Sequence, residues 1–429
     1  MTAEVVLLLG GMLGLIILGM PLVFSIGCAS LLTILVFHDT LPLEMIPQLM
    51  VGGTDSFALL AIPFFFLAGE IMNSAGMTER IVRFSDGLVG GIRGGLSHVN
   101  VVTNMIYAGI SGSAVADAAA IGSFMIPSMV RSGYPPGFSA AINAASATIG
   151  PIIPPSIPMI IYGVIANVSV GQLFLSGVFP GLIMGGYLMV TAYFISVRRN
   201  YPKGKFMPFR ELMRLALSVF LAFLSPLIII GGILLGVFTA TEAGAVAVLY
   251  SILIGFFFYR QLKLKTLWEI FKGTVVSTGT VLIIVGVSYL FGWIIAQSNI
   301  GNKIGELILS ISKNPMVVLL LVNIFFFIVG MFMDPLAGLI IFVPIFLPIV
   351  TSIGIHPVHF GLVVVLNLMI GLLTPPVGYL LYITSAISGE KVEVVIREVM
   401  PFIAVLVVVL LICTYWPKMV MYLPNLVGR

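Results

Sequence analysis

Two short polar stretches in a very apolar chain carry the residue types that hold a cation. One reads SGSAVAD, Ser111 to Asp117; the other reads GMFMDPLAG, around Asp334. Hydroxyls, carboxylates and backbone carbonyls are the oxygen donors that a hard ion such as Na+ takes up. Each stretch is followed by a proline pair in an apolar segment: ATIGPIIPPS with Pro154 and Pro155, and GLLTPPVG with Pro375 and Pro376. Proline has no N–H and clashes with the preceding turn, so each pair breaks a helix and frees carbonyls. Ser111 and Ser113, with the carbonyls of Gly150 and Ile153 beside Pro155, form one candidate set. Asp334, with Gly371, Thr374 and Pro376 opposite, forms the second. Asp117 is a further ion or substrate ligand. The competing role for Asp117 and Asp334 is helix N-capping. For Asp334, which precedes Pro335, the two roles are compatible.

These residues have to be positioned by membrane helices. The chain has 429 residues, of which 60% are hydrophobic and 8% charged, and its mean hydropathy is +1.20. Soluble domains carry about 25% charged residues, so this is an all-α polytopic membrane protein. Apolar runs recur along the whole length, but those at about 97–167 and 315–388 are short, against the ~20 residues that a crossing helix needs. Each cluster reads as a re-entrant helical hairpin followed by a proline-broken helix: hairpin 97–130 and broken helix 137–167, then hairpin 315–352 and broken helix 359–388. Backbone freed from helical bonding at membrane depth survives where it lines a cavity or is buried in protein.

The two clusters are related by an offset of 221. Gly109 meets Gly330, Pro127 meets Pro348, Gly150 meets Gly371, Pro154 and Pro155 meet Pro375 and Pro376, and Pro180 meets Pro401. In the same register Ser113 meets Asp334. The chain therefore reads as two repeats, 1–197 and 215–429, joined by a basic linker at 198–214. Clustered Lys and Arg favour the cytoplasm, while Glu4 and the absence of basic residues before Arg80 suit a periplasmic N-terminus. A first repeat that starts outside and ends inside makes the pair inverted. Inverted repeats with broken helices are the pattern of secondary transporters.

Other residues carry less. Cys28 and Cys413 are far apart in apolar surroundings and read as small hydrophobes. The four histidines show no metal-ligand spacing. The N-terminus lacks the basic region of a cleaved signal peptide. The net charge of +4 comes mostly from loop residues and gives no nucleic-acid face. Glu70 and Glu242 read as structural carboxylates, paired or at a helix contact. Arg80, Arg83 and Arg93 read as interfacial anchors, and Trp268, Trp293 and Trp416 as belt residues. An intramembrane enzyme needs a nucleophile with its base, an aspartate pair or a metal motif; the sequence has no GxSG, no HExxH and no neighbouring Asp pair, so no enzyme is expected. A purely structural subunit leaves two matched polar tips unexplained.

The segments GISGSAVADAAAIG, ATIGPIIPPSIPMIIYG, GVFTATEAGAVAVLY, GMFMDPLAGLIIFVPIFLPI and IGLLTPPVGYLLYITSAISG, in this order, closely resemble the large membrane subunit of tripartite ATP-independent periplasmic (TRAP) transporters, the DctM-like proteins. The resemblance spans nearly the whole chain. It implies an elevator-type build, with a scaffold and a mobile transport domain holding both hairpins and both broken helices, in a bacterial or archaeal inner membrane. It implies Na+-driven uptake of an organic acid anion, of C4-dicarboxylate or sialic acid type. The expected partners are a separate small four-helix membrane subunit, a soluble periplasmic binding protein and membrane lipid. Ser111, Ser113, Gly150, Ile153 and Pro155 match the first Na+ site of such proteins, and Asp334, Gly371, Thr374 and Pro376 the second. Asp117 and Ser156 are placed near the substrate. The alternative is a stand-alone Na+- or H+-coupled dicarboxylate carrier of another elevator family; those typically carry a Ser-Asn-Thr motif at their tips, where this chain has SGS and MDP.

Overall fold

Proline decides where many of these helices begin. Pro136, Pro315, Pro335 and Pro357 each stand at the first position of a helix, where a missing N–H loses no hydrogen bond and the fixed φ already suits the turn. The computed structural model describes residues 3–38, 42–204, 206–298, 305–306, 310 and 312–427, with residue 17 described by its backbone alone. Among these residues the chain is helical throughout, apart from one isolated bridge between Arg93 and Lys203. Eight helices among the described residues are long and apolar enough to cross a membrane.

The first half opens with α1, whose pieces Ala3–Val5, Val6–Gly10 and Gly11–Ile17 run head to tail. It continues with α2 (Leu22–Phe37), α3 (Met45–Thr54), α4 (Ala61–Ser74) and α5 (Met77–Val89). A hairpin follows, α6 (Gly95–Ser111) and α7 (Ala114–Arg131). Then come α8 (Pro136–Ala147), α9 (Ile157–Ala166) and the long α10 (Val170–Arg198). The second half contains α11 (Phe209–Leu234), α12 (Ala240–Leu253), α13 (Leu264–Gln297), a hairpin of α14 (Pro315–Phe332) and α15 (Pro335–Ser352), then α16 (Pro357–Gly371), α17 (Tyr379–Ser388) and α18 (Val392–Tyr415). Hairpin, interrupted helix and long helix thus occur twice in the same order. The interruptions fall at the proline pairs, where the Pro154–Pro155 and Pro375–Pro376 bonds are cis. α11 takes up the C-terminal part of the basic stretch.

Two groups of helices form the body. α4 packs against α12, α13 runs along α2, α3 and α4, and α11 packs on α5 and α12. The second group interlocks the two halves. α17 lies on α7 and α8, and reciprocally α9 lies on α15 and α16; α18 packs on α8 and α10, and α10 on α16. The far arm of each interrupted helix therefore leaves its own half and packs on the other half's hairpin.

Candidate functional site

The first hairpin turns in very few residues. α6 ends at Ser111, Gly112 has a φ of +62°, and Ser113 caps α7 by accepting from the Ala116 amide at 3.4 Å. The turn is tighter than the seven-residue tip read from the sequence, and Asp117 lies one turn inside α7. Gly112 is required for its space as well as its φ, because a Cβ there would stand 2.5 Å from the Pro155 carbonyl oxygen. The tip thus lies directly on the unwound segment, and the Ile157 amide donates to the Gly112 carbonyl at 3.4 Å. Ser156 caps α9, accepting from the Met159 amide at 3.2 Å and donating to the Pro151 carbonyl.

Asp117 has no exposed surface. The Ser111 hydroxyl donates to one of its carboxylate oxygens and accepts from the Ser113 amide at 3.2 Å. The other carboxylate oxygen has no hydrogen-bond partner and lies against Gly150, where a Cβ would overlap it. No backbone N–H among the described residues donates to the carbonyls of Gly150, Ile153 or Pro155. A buried carboxylate oxygen and freed carbonyls are costly unless a cation or water completes them. This donor set fits a hard monovalent ion. Ser111, Ser113, Asp117, Gly150, Pro155 and Ser156 are thus brought together, while the Ile153 side chain fills the space left by Gly181 on α10. Asp117 and Ser156, expected near the substrate, are both fully buried. One faces the unwound segment, and the hydroxyl of the other is spent on Pro151 and Met159, so neither opens onto the cavity described next.

At the second hairpin Asp334 caps α15, accepting from the Leu336 amide at 2.9 Å, and is exposed. Gly371, at the end of α16, crosses Gly330 of α14 so closely that a Cβ on it would overlap the Gly330 backbone. Thr374 donates to the Ile370 carbonyl at 2.9 Å, inside its own segment. Among the described residues no hydrogen bond joins Asp334 to Thr374 or to the Pro376 segment.

The two tips share one cavity, lined by Ser113 on one side, Asp334 on the other, and Phe66 of α4. The first residues of three helices face it: Ala114 and Val115 of α7, Ile157 and Pro158 of α9, Pro335 and Leu336 of α15. The helix dipole makes such ends attractive to anions, although the first amides of two of them are spent: Ile157 donates to Gly112, Leu336 to Asp334, and Pro158 and Pro335 carry no N–H. Among the described residues no basic side chain lines the cavity.

The asparagines escaped the sequence reading. Asn100 donates to Asn143 at 3.2 Å, and Asn143 to the Ala118 carbonyl at 2.9 Å. In the other half Asn367 donates to Asn323 at 2.8 Å, and Asn323 to the Thr414 hydroxyl at 2.9 Å. Each set ties a hairpin arm to the interrupted helix. Their signal was one Asn on each paired arm, missed because the two sets do not fall in the 221 register. Glu242 is explained by a capping box with Thr239, whose amide donates to it at 2.7 Å. Arg80 stacks on Tyr259 at 4.4 Å and Arg93 donates to Asn200 at 2.6 Å, so these two hold internal contacts. Trp293 is half-buried, meets the His38 ring edge-on at 6.4 Å and lines a cavity between α3, α9, α13 and α15.

Comparison with known proteins agrees with this architecture. The chain matches, over residues 9–419, the family described as "Tripartite ATP-independent periplasmic transporter, DctM component". It is 43% identical over 417 residues to the sialic acid TRAP transporter large permease protein SiaM of Vibrio cholerae, covering 97% of each chain. It is 39% identical over 404 residues to the C4-dicarboxylate TRAP transporter large permease protein DctM of Pseudomonas aeruginosa, covering 94% of each. It is 38% identical over 409 residues to the isethionate TRAP transporter permease protein DctMQ of Oleidesulfovibrio alaskensis, covering 95% of this chain and 64% of that one. Among solved structures, the Alcanivorax borkumensis YdaH transporter superposes with a TM-score of 0.59 at 16% identity, over 86% of this chain and 87% of that one. Neisseria gonorrhoeae MtrF does so with 0.59 at 14%, over 89% and 84%. At these identities the two structures share the fold alone.

Proposed function

The chain belongs to the DctM family of TRAP transporters, as a multi-pass membrane permease and not an enzyme, and from that premise we propose that it is the large subunit of a Na+-coupled importer of a small organic acid anion. Sialic acid, C4-dicarboxylate and isethionate, the substrates in its relatives' names, are all organic anions. The observation that carries the reading is the cavity between the hairpin tips: three helix N-termini face it, a carboxylate stands at its edge, and no basic side chain among the described residues lines it. Helix ends favour an anion there. Asp334 opposes it unless a cation screens the carboxylate. An anion and cations that enter together satisfy both constraints, and coupling follows from that mutual need.

In this reading the first cation takes the buried oxygen of Asp117 with the freed carbonyls of Gly150, Ile153 and Pro155, and Ser111 and Ser113 hold the carboxylate in place. The second takes Asp334, with Gly371, Thr374 and Pro376 closing around it. Ser156 acts through backbone at the edge of the substrate space. The helices that interlock the halves, α6 to α10 and α14 to α18, form the moving body of an elevator; α4, α11, α12 and α13 belong to its scaffold. The repeats at 1–197 and 215–429 are inverted about the membrane plane, the N-terminus is periplasmic and the linker cytoplasmic. A small four-helix subunit and a periplasmic binding protein complete the transporter in the inner membrane.

The test is uptake of labelled sialic acid and labelled succinate into proteoliposomes containing the large subunit, a small four-helix subunit and a periplasmic binding protein of the same transporter. Accumulation is expected with an inward Na+ gradient, with all three components present. Equal uptake with K+ replacing Na+ on both sides would overturn the coupling. Equal uptake without the other two components would favour the stand-alone carrier.

A further inference from the structure

A second cavity, of ≈ 320 Å3, lies on the scaffold side of the first hairpin. Phe66, Gly69, Glu70 and Asn73 of α4 form one wall; Tyr107, Ser111 and Ser113 form the opposite one. Three features set it apart. Glu70 is exposed to it and makes no ion pair or hydrogen bond among the described residues, whereas Glu4 pairs with His38, Asp117 with Ser111, and Glu242 with Thr239. An unpaired carboxylate in a membrane-spanning helix is costly and is retained where it faces water or an ion path. No basic side chain among the described residues lines the space. Ser111, finally, belongs to both the cavity wall and the Asp117 cluster. Gly69 packs against the Ser111 backbone, its Cβ position 3.4 Å from the Ser111 Cα. The cavity, the Ser111 hydroxyl, Asp117 and Gly150 therefore form one continuous line of oxygen-bearing groups.

We propose that this cavity is a cation-access vestibule, in which Glu70 draws a hydrated monovalent cation from water to Ser111 and on to the buried oxygen of Asp117. The space holds an ion with its water, given roughly 30 Å3 per water molecule. A carboxylate focused by low-dielectric walls raises local cation concentration by tenfold or more. Glu70 sits on the scaffold helix, so it recruits the ion without travelling with the hairpin. This inference rests on the Na+-coupled reading above and goes beyond it by assigning an entry route and a recruiting residue.

The experiment is the Na+ dependence of initial uptake in the same three-component proteoliposomes, for wild type and Glu70→Gln. The expected result is a Na+ half-saturation concentration raised about threefold to tenfold, with the maximal rate at saturating Na+ and the half-saturation for substrate unchanged. A wild type indifferent to Na+ would sink the coupling reading. A Na+-dependent wild type with an unshifted Glu70→Gln curve would sink the vestibule alone. If Glu70→Gln does not reach the membrane folded, Ala119→Cys in a Cys28→Ser background decides. A cationic methanethiosulfonate is expected to label this position at least about tenfold faster than an anionic one of similar size, and equal rates would overturn the proposal.

Discussion

The two hairpins are built alike and differ in where they keep their acid. In the register that aligns the halves, Ser113 stands opposite Asp334, and Asp117 opposite Gly338. The carboxylate has moved by one helical turn. In the first half it lies inside α7, sealed from water, with an oxygen against Gly150. In the second it lies on the cap of α15, facing the shared cavity. The space that Asp117 fills in one half is closed by backbone in the other, where Gly330 and Gly371 touch and Gly338 makes room for Leu368. A repeated fold thus presents one closed and one open oxygen cluster. In this conformation the second faces the cavity between the tips, and the first borders, through Ser111, the cavity on the scaffold side.

That asymmetry can be broken at several points. The largest effect is expected from Asp117→Ala, which removes the buried oxygen. Na+-driven uptake should fall at least about a hundredfold, beyond the 10–100-fold loss typical even of groups that merely support a metal ligand; a fall of less than threefold in initial rate would refute its place in the first cluster. Gly371→Ala and Gly150→Ala probe the same register position and should fail differently. The first puts a methyl into the Gly330 backbone and should destabilise by about 1–3 kcal/mol, read as a lower thermal midpoint of the purified protein. The second meets the end of the Asp117 side chain rather than backbone at closest approach, so its midpoint should fall less while its Na+ half-saturation rises about tenfold. Equal midpoint losses would erase the contrast between the halves.

Asp334→Ser makes the second tip resemble the first. Serine caps nearly as well as aspartate, within about 0.5 kcal/mol, so stability should be kept while Na+ half-saturation rises severalfold. Loss of the thermal midpoint with unchanged Na+ dependence would reduce Asp334 to a cap. The smallest effects are expected at the asparagines. Asn143→Ala and Asn367→Ala each unpair a buried amide or carbonyl and should cost about 1–2 kcal/mol, about equally in the two halves. A much larger loss in one half, in parallel thermal-unfolding curves, would show that the two networks do different work.

Much of the fold is legible in residue order, for local reasons. Pro154, Pro155, Pro375 and Pro376 interrupt helices whatever surrounds them. Pro136, Pro315, Pro335 and Pro357 mark starts, and the capping roles of Ser113 and Asp334 follow from residue type and place. Candidate site residues near these breaks are legible for the same reason. Their partners are not. Asp117 pairs with Ser111 across the hairpin tip, yet its free oxygen meets Gly150 because the tip lies on the unwound segment, a contact permitted by the missing Cβ at Gly112 and Gly150. The asparagine pairs and the Glu70 cavity lie between helices remote in sequence.

By itself, then, the sequence determined that this is a helical membrane protein with two matched breaks and two polar tips. Those features follow from composition and from proline's missing N–H, which act within a turn or two of the chain. Tertiary structure alone decided which arms cross between the halves, which carboxylate is sealed and which is open, and that three helix N-termini meet at one cavity. Such contacts depend on how closely backbones approach where segments cross, and no local preference along the chain encodes that distance.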